Sequence, residues 1–522
     1  MKKILYTLSV VLTLTLFSSC NSLELSPEDY YGSSNFWTKE SQVSGFLNGL
    51  YSNLRGRYNM FFILGECRGG TSKTGTSSLA TSINYSSPIK DNTLTASNTG
   101  VTSWNGLYSN ILQVNLFIQN LENGCTFLTE AQRNSYLAPA YGLRALYYFT
   151  LYRTYGGVPL VTTVKLLDGQ IAADALYTAR STPEETMKQI KSDIDKSEQL
   201  YGTDLTPSMN SWTGYATLML KGEIYLWSAK VTTGDHTATG STDLQIAKTA
   251  LQSVVSSGKY SLNSSFSSVF TDKTEKSNKE VIFSIFFKDK ESTNAGSYFV
   301  YADQGFVGSK YSRSGTVLND VLDLRNSGLL RHEYKESLWR SFNEADTRRD
   351  ATFLDYYDNA SQKNFGCLML KYTGSISNSV RVYDSNVIVY RYSDALLMLA
   401  EIENALGGDP SSYINQVRQR AYGSAWGDAY KFTSSSFAAN EMAILHERDK
   451  EFVGEGKRWF DVVRMQDASH KSLAFSANAN YALNYGEEPS ALLTDAQAYM
   501  LLWPVDTGVL NGDNLVKQTP GY

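Results

Sequence analysis

The chain has 522 residues, with 47 Lys and Arg against 52 Asp and Glu, a formal net charge of −5. Mild negative charge spread along the chain, without a basic face, excludes nucleic-acid binding as the expected function. Length alone would suit about three domains, but a superhelical repeat with insertions can fill it as one unit.

Residues 1–19 read as a signal peptide. Lys2 and Lys3 make a basic start, and Ile4 to Phe17 is an almost uncharged apolar run too short to span a membrane stably. Small Ser18 and Ser19 then precede Cys20, the pattern of a bacterial lipobox. Cleavage before Cys20 would leave its thiol and new amino group for acylation, and several acyl chains anchor far more firmly than one. The alternative is simple secretion after conventional cleavage. No other segment approaches the length of a span, so the rest of the chain is expected to be soluble apart from its anchor.

Apolar periodicity predicts helices over Glu40–Leu54, Trp104–Leu121, Glu130–Tyr155, Pro183–Leu200, Tyr215–Ala229, Leu244–Ser257, Tyr392–Leu406, Ser411–Arg420 and Asn440–Met465. Thr182 before Pro183-Glu184-Glu185 is a strong start signal, an N-cap followed by Pro at the first helical position. The tyrosines at 141, 147, 148, 152 and 155 form a stripe of the kind that is usually core. Small residues at Ala140, Ala145, Ala395, Ala400 and Ala405, with Phe149 and Pro159 behind the first pair, echo the small–large pattern of tetratricopeptide helix pairs. The helical core is thus expected over 38–258 and 390–466, with a strap of Pro- and Gly-bearing chain over 467–522. Two stretches interrupt it, 65–100 and 259–389, the second with strand-like runs at Val281–Phe287 and Cys367–Lys371. Insertions of this kind on a rigid scaffold are where binding residues concentrate.

Catalysis has little to build on. Neither His332-Glu333 nor His446-Glu447 continues into HExxH, and Gly70 to Thr76 lacks the Lys of a phosphate loop. No nucleophile elbow or EF-hand loop is present. A glycosidase carboxylate pair would be close in space rather than in sequence, so it stays a lesser alternative. The expected chain is not an enzyme and needs no cofactor. With Cys20 acylated, Cys67, Cys125 and Cys367 remain, an odd number without CxxC spacing, from which one pair could form. A structural calcium ion is left open, because Asp and Asn are plentiful in the loops.

Binding fits better. The chain is 13% aromatic and holds 35 tyrosines. Aromatic faces stack on sugar C–H faces, while Arg, Asn and carboxylates read hydroxyls. Tyr298, Tyr301, Phe306, Tyr311, Arg313 and Trp339-Arg340 supply these in the second insertion, and Glu66, Arg68 and Tyr85 in the first.

The segment Glu447 to Arg464, E-R-D-K-E-F-V-G-E-G-K-R-W-F-D-V-V-R, spaces opposite charges three or four residues apart around Gly454 and Gly456. It resembles the C-terminal signature of the SusD/RagB family, surface nutrient-binding lipoproteins. The Leu23–Pro27 lead-in, Asp346-Thr-Arg348 and the tail Trp503-Pro504 … Gln518-Thr-Pro-Gly-Tyr522 resemble the same family. In the signature itself ion pairing and aromatic packing are the expected roles. The resemblance implies a mainly α, tetratricopeptide-like superhelix anchored in the outer membrane at the cell surface. It also implies capture of an oligosaccharide and delivery to a SusC-like TonB-dependent transporter, or, as in the RagB branch, capture of an oligopeptide. The glycan cradle it implies draws on Glu66, Arg68, Tyr85, Tyr298, Tyr301, Tyr311 and Trp339, with lipidation at Cys20.

Overall fold

The computed structural model describes residues 36–74, 86–101, 103–164, 173–274, 276–294, 304–324 and 332–522. The helical core comprises α1 (Glu40–Arg55), α2 (Tyr58–Glu66), α3 (Asn105–Asn123), α4 (Glu130–Tyr155), α5 (Pro183–Tyr201), α6 (Gly214–Lys230) and α7 (Ser241–Ser256). It resumes with α8 (Tyr392–Ala405), α9 (Ser411–Tyr422), α10 (Phe437–Phe452) and α11 (Arg458–Arg464). Consecutive helices from α3 to α7 pack on one another as stacked pairs, and α8 closes against α7, α9 and α10. The architecture is mainly α and tetratricopeptide-like. No helix among the described residues is long and apolar enough to cross a membrane.

Local chemistry explains the starts. Thr182 accepts from the amide of Glu185, whose carboxylate accepts from the amide of Thr182 at 2.9 Å, with Pro183 first in α5. This reciprocal box satisfies two of the amides a helix start leaves without partners. Thr129 and Gln132 repeat it at α4. Tyr147, Tyr148, Tyr152 and Tyr155 of α4 are buried, as expected of a core stripe, and Arg144 inside the same helix is neutralised by Asp193 at 2.6 Å.

The structure corrects several expectations. One helix over Asn440–Met465 does not form. The chain turns between Phe452 and Arg458, where Gly454 (φ 81°) and Gly456 (φ 73°) adopt left-handed backbone that L side chains rarely take. Helix α2 is not among the helices that apolar periodicity predicts, because it follows α1 after only two residues and its apolar run is too short to show a period. The strand expected over Cys367–Lys371 is β5, Gly366–Met369, which pairs with β4 (Phe353–Tyr356) and precedes the β6 (Ser375–Ser377) and β7 (Val380–Val382) pair; Lys371 instead lies buried, its ammonium 2.7 Å from Glu455. Nor is 259–389 wholly surface. Strand β2 (Val281–Ile285) is buried along its length and pairs antiparallel with β8 (Val387–Arg391). Cys67, Cys125 and Cys367 are buried free thiols, so none pairs.

The signature charges pair mostly across the fold rather than along the helix. Glu451 receives Arg348 at 2.9 Å, Arg391 at 2.6 Å and Arg420, all buried. Glu280 bridges Arg391 and Arg420 at 2.7 and 2.9 Å, and Arg348 also meets Asp346 and Glu447. Burial alone would raise the Glu451 carboxyl, but Arg420, Arg391 and Arg348 outweigh it and hold it far below the usual carboxylate range. Second-insertion residues are thereby tied to α8, α9 and α10.

The C-terminal strap packs on α4. The Trp503 amide donates to Thr154 at 2.7 Å, Thr519 donates to the Trp503 carbonyl at 2.8 Å, and Gln518 bonds both backbone groups of Val505.

Candidate functional site: an aromatic–arginine groove

The two insertions meet. Strand β1 (Ser72–Thr74) from the first pairs antiparallel with β3 (His332–Tyr334) from the second, and the Lys335 amide donates to the Thr71 carbonyl at 2.9 Å. The short helix Glu336–Arg340 starts there and carries Trp339 and Arg340. A three-residue strand pairing thus sets where the second insertion's aromatic side chains stand.

Trp339 is only 5% exposed. The guanidinium groups of Arg349, Arg313 and Arg340 lie 4.8, 5.1 and 5.6 Å from its ring, and Phe365 packs at 5.1 Å. Arg313 is held by Asp355 at 2.8 Å and Asp350 at 2.7 Å, Arg340 by Glu336 at 2.8 Å. The cations are therefore compensated, and each remains a fixed set of N–H donors rather than a loose positive patch. Tyr311 is half-buried and exchanges backbone hydrogen bonds with Tyr357 at 2.9 Å, two residues from Arg313.

Beside this cluster the 480–490 loop completes an open groove of about 320 Å³ lined by Ser337, Arg340, Ser341, Asn480, Tyr485 and Glu487, among others. Tyr485 is 62% exposed, with the Arg340 guanidinium 4.6 Å from its ring centre. The loop is anchored rather than free: Lys335 donates to the Tyr481 carbonyl at 2.8 Å, Ser337 donates to Ala482, and Tyr481 donates to Asp449 at 2.8 Å. Burial lowers the Lys335 ammonium to about 8. An exposed aromatic face beside Arg donors and the Glu487 acceptor can stack on a sugar ring and read its hydroxyls.

Of the sequence-predicted site residues, Tyr311 and Trp339 are brought into this region, Trp339 as a covered support rather than a free platform. Glu66 and Arg68 are corrections, for both are fully buried. Glu66 accepts from the amides of Gly454 at 2.9 Å and Gly456 at 3.2 Å, clamping the signature turn. Arg68 donates to Asn92 and the Met500 carbonyl at 2.7 and 2.6 Å, its guanidinium 4.0 Å over the Trp459 ring. Both side chains serve the scaffold, because neither reaches the surface and the hydrogen bonds they make run to protein partners. Tyr85, Tyr298, Tyr301 and Cys20 lie outside the described residues. Among the described residues no three His, Cys, Asp or Glu side chains gather as a metal site. Sequence reading missed Tyr485, although its neighbours Asn484, Gly486 and Pro489 are the turn residues of an exposed loop.

Burial raises the Glu66 carboxyl to about 7, against the opposing pull of the Gly454 amide and Lys371. The folded chain therefore holds a proton at Glu66 that the unfolded chain releases near pH 4.5, and this contribution to stability falls as pH rises from about 4.5 to about 7. Glu66→Gln is expected to remove that fall. Urea titrations at pH 5, 6, 7 and 8 would show the stability gap between wild type and variant changing with pH. A constant gap would refute the assignment.

Two family models match the chain: the SusD family over residues 279–522, and a family described as starch-binding and associating with the outer membrane over residues 23–226. A SusD superfamily protein from Bacteroides fragilis, 37% identical, superposes with a TM-score of 0.83 over 93% of this chain and 100% of its own. The chain belongs to the SusD family. NanU of B. fragilis, 34% identical, gives a TM-score of 0.80 with 95% of this chain and all of NanU covered. The SusD-like protein P38 of Formosa agariphila is 25% identical over 90% of this chain and 92% of its own length. Family membership agrees with the stacked helix pairs and with the ion-paired turn that Glu66 clamps. The SusD fold here leaves the second insertion and the C-terminal strap, not the signature, to form an open groove.

Proposed function

We propose that this chain is an outer-membrane glycan-binding protein, in which the groove beside Tyr485 and Arg340 takes an oligosaccharide. The observation that carries the reading is Tyr485 itself, a largely exposed ring fixed beside an oriented guanidinium on an anchored loop. The family description as starch-binding and associating with the outer membrane supports it. Tyr85, Tyr298 and Tyr301 are proposed as further stacking rings and Tyr311 as a flanking one. Binding without covalent chemistry is the proposed activity, and residues 20–522 act as one unit held to the membrane through Cys20. The ligand then passes to a SusC-like TonB-dependent transporter.

Calorimetric titration of residues 21–522 against polysaccharides and oligopeptides tests the reading. One glycan class is expected to bind, with no hydrolysis. Tyr485→Ala is expected to weaken binding at least about tenfold without moving the thermal transition, since the ring is mostly solvent-exposed. Binding of peptides with no glycan response would reject the proposal and favour an oligopeptide receptor.

A further inference from the structure

A second cavity, of about 110 Å³, lies away from the groove, between α2, α6, β8 and the Gly454–Gly456 turn. Its walls are largely apolar, dominated by Tyr58, Phe61, Phe62, Tyr372, Tyr390 and Phe460. Tyr58, Asn59, Phe61 and Phe62 on α2, and Val387 and Val389 on the strand opposite, are each only partly buried, so the cavity is within reach of solvent. A space of this size is comparable to the roughly 150 Å³ apolar cavities that hold benzene in other proteins.

The charges that line it are all compensated by protein. Glu223 accepts from Arg153 at 2.5 Å and from the Tyr390 hydroxyl at 2.6 Å. Lys457 pairs with Asp394, Glu455 with Lys371 and Arg391, and Asp461 with Arg448 and Arg464. A charged ligand would find no counter-ion there, and desolvating its charge would oppose binding. A pyranose would bring several hydroxyls to walls that offer few polar groups. Yet two lining residues carry buried polar atoms without a hydrogen-bond partner in the protein, the Asn59 Oδ1 acceptor and the Arg153 Nε donor. Such atoms favour a ligand able to pair with them, and one hydroxyl both donates and accepts.

We propose that this cavity binds a small neutral ring bearing a hydroxyl, of phenol size and class, at a site separate from the glycan groove. The aromatic walls take the ring, and the hydroxyl donates to the Asn59 Oδ1 acceptor. The site does not depend on the glycan reading, because none of its lining residues is shared with the groove.

Calorimetry of residues 21–522 with phenol and with toluene tests it. Phenol is expected to saturate one site below about 10 mM and to bind at least about tenfold tighter than toluene. Asn59→Leu should erase most of that preference while leaving toluene affinity unchanged. Val389→Phe, which fills the cavity from β8, should abolish both and leave glycan titration unaffected; Val387→Phe provides a second filling variant should the first fail to fold. The proposal is overturned if phenol fails to saturate, if phenol and toluene bind equally, or if the folded filling variant binds phenol like wild type.

Discussion

Glu451→Ala is expected to destabilise the protein by at least roughly 3–5 kcal/mol, the cost of removing one partner from a buried ion pair. Here the single carboxylate serves three buried guanidinium groups, Arg348, Arg391 and Arg420. Their remaining partners, Glu280, Glu447, Glu455 and Asp346, are shared with Lys371 and Arg418, so five cations would be left with four carboxylates, all four of them buried. Glu451→Gln keeps the shape but not the charge, so it should lose most of the same stability. The surface pair Lys431–Asp428 is the control, and Lys431→Ala should leave the transition where it is, because both partners are largely solvated. Chemical denaturation of the three variants measures this. A Glu451→Ala midpoint matching wild type would show that the cluster does not hold α8, α9 and α10 together.

The second large effect is expected at Gly65. A Cβ added there would stand 1.7 Å from the carbonyl oxygen of Gly456, deep inside van der Waals contact and against backbone rather than a movable side chain. The turn cannot withdraw freely, since Glu66 on the next residue clamps Gly454 and Gly456. Gly65→Ala should therefore cost about 3 kcal/mol or more, at or beyond the upper end for overpacking. Gly45, in the interior of α1, gives the opposite expectation. Nothing lies within 4 Å of an added Cβ there, so Gly45→Ala should stabilise by about 0.5–1 kcal/mol through helix propensity and reduced unfolded-state entropy. Equal effects of the two substitutions, read from urea midpoints, would overturn the close-approach account of Gly65.

Much of the scaffold was legible because its signals are local. Helix α5 announces itself through Thr182, Pro183 and Glu185, and α4 through its buried tyrosine stripe, both readable within one helix. The signature was recognisable as an ion-paired segment, since alternating charge and two glycines are visible in eighteen residues of sequence, but the turn at Gly454 and Gly456 that splits the expected helix was not. Its partners were not legible, because Arg348, Arg391 and Arg420 reach Glu451 from 103, 60 and 31 residues away. Glu66 and Arg68 misled for a related reason. A charged pair beside Cys67 and Gly69-Gly70 looks like a polar loop, and only the return of the signature turn onto α2 buries it.

The sequence by itself determined the family, the helical class and the helix starts. Caps, periods and glycine turns act over a few residues and are written in order. Only the tertiary structure decided which side chains face solvent. It made Glu66 and Arg68 scaffold, turned Trp339 into a covered support and exposed Tyr485 beside Arg340. Burial depends on which distant segments meet, and here β1 must find β3, and the 480–490 loop must find Lys335, before any groove exists.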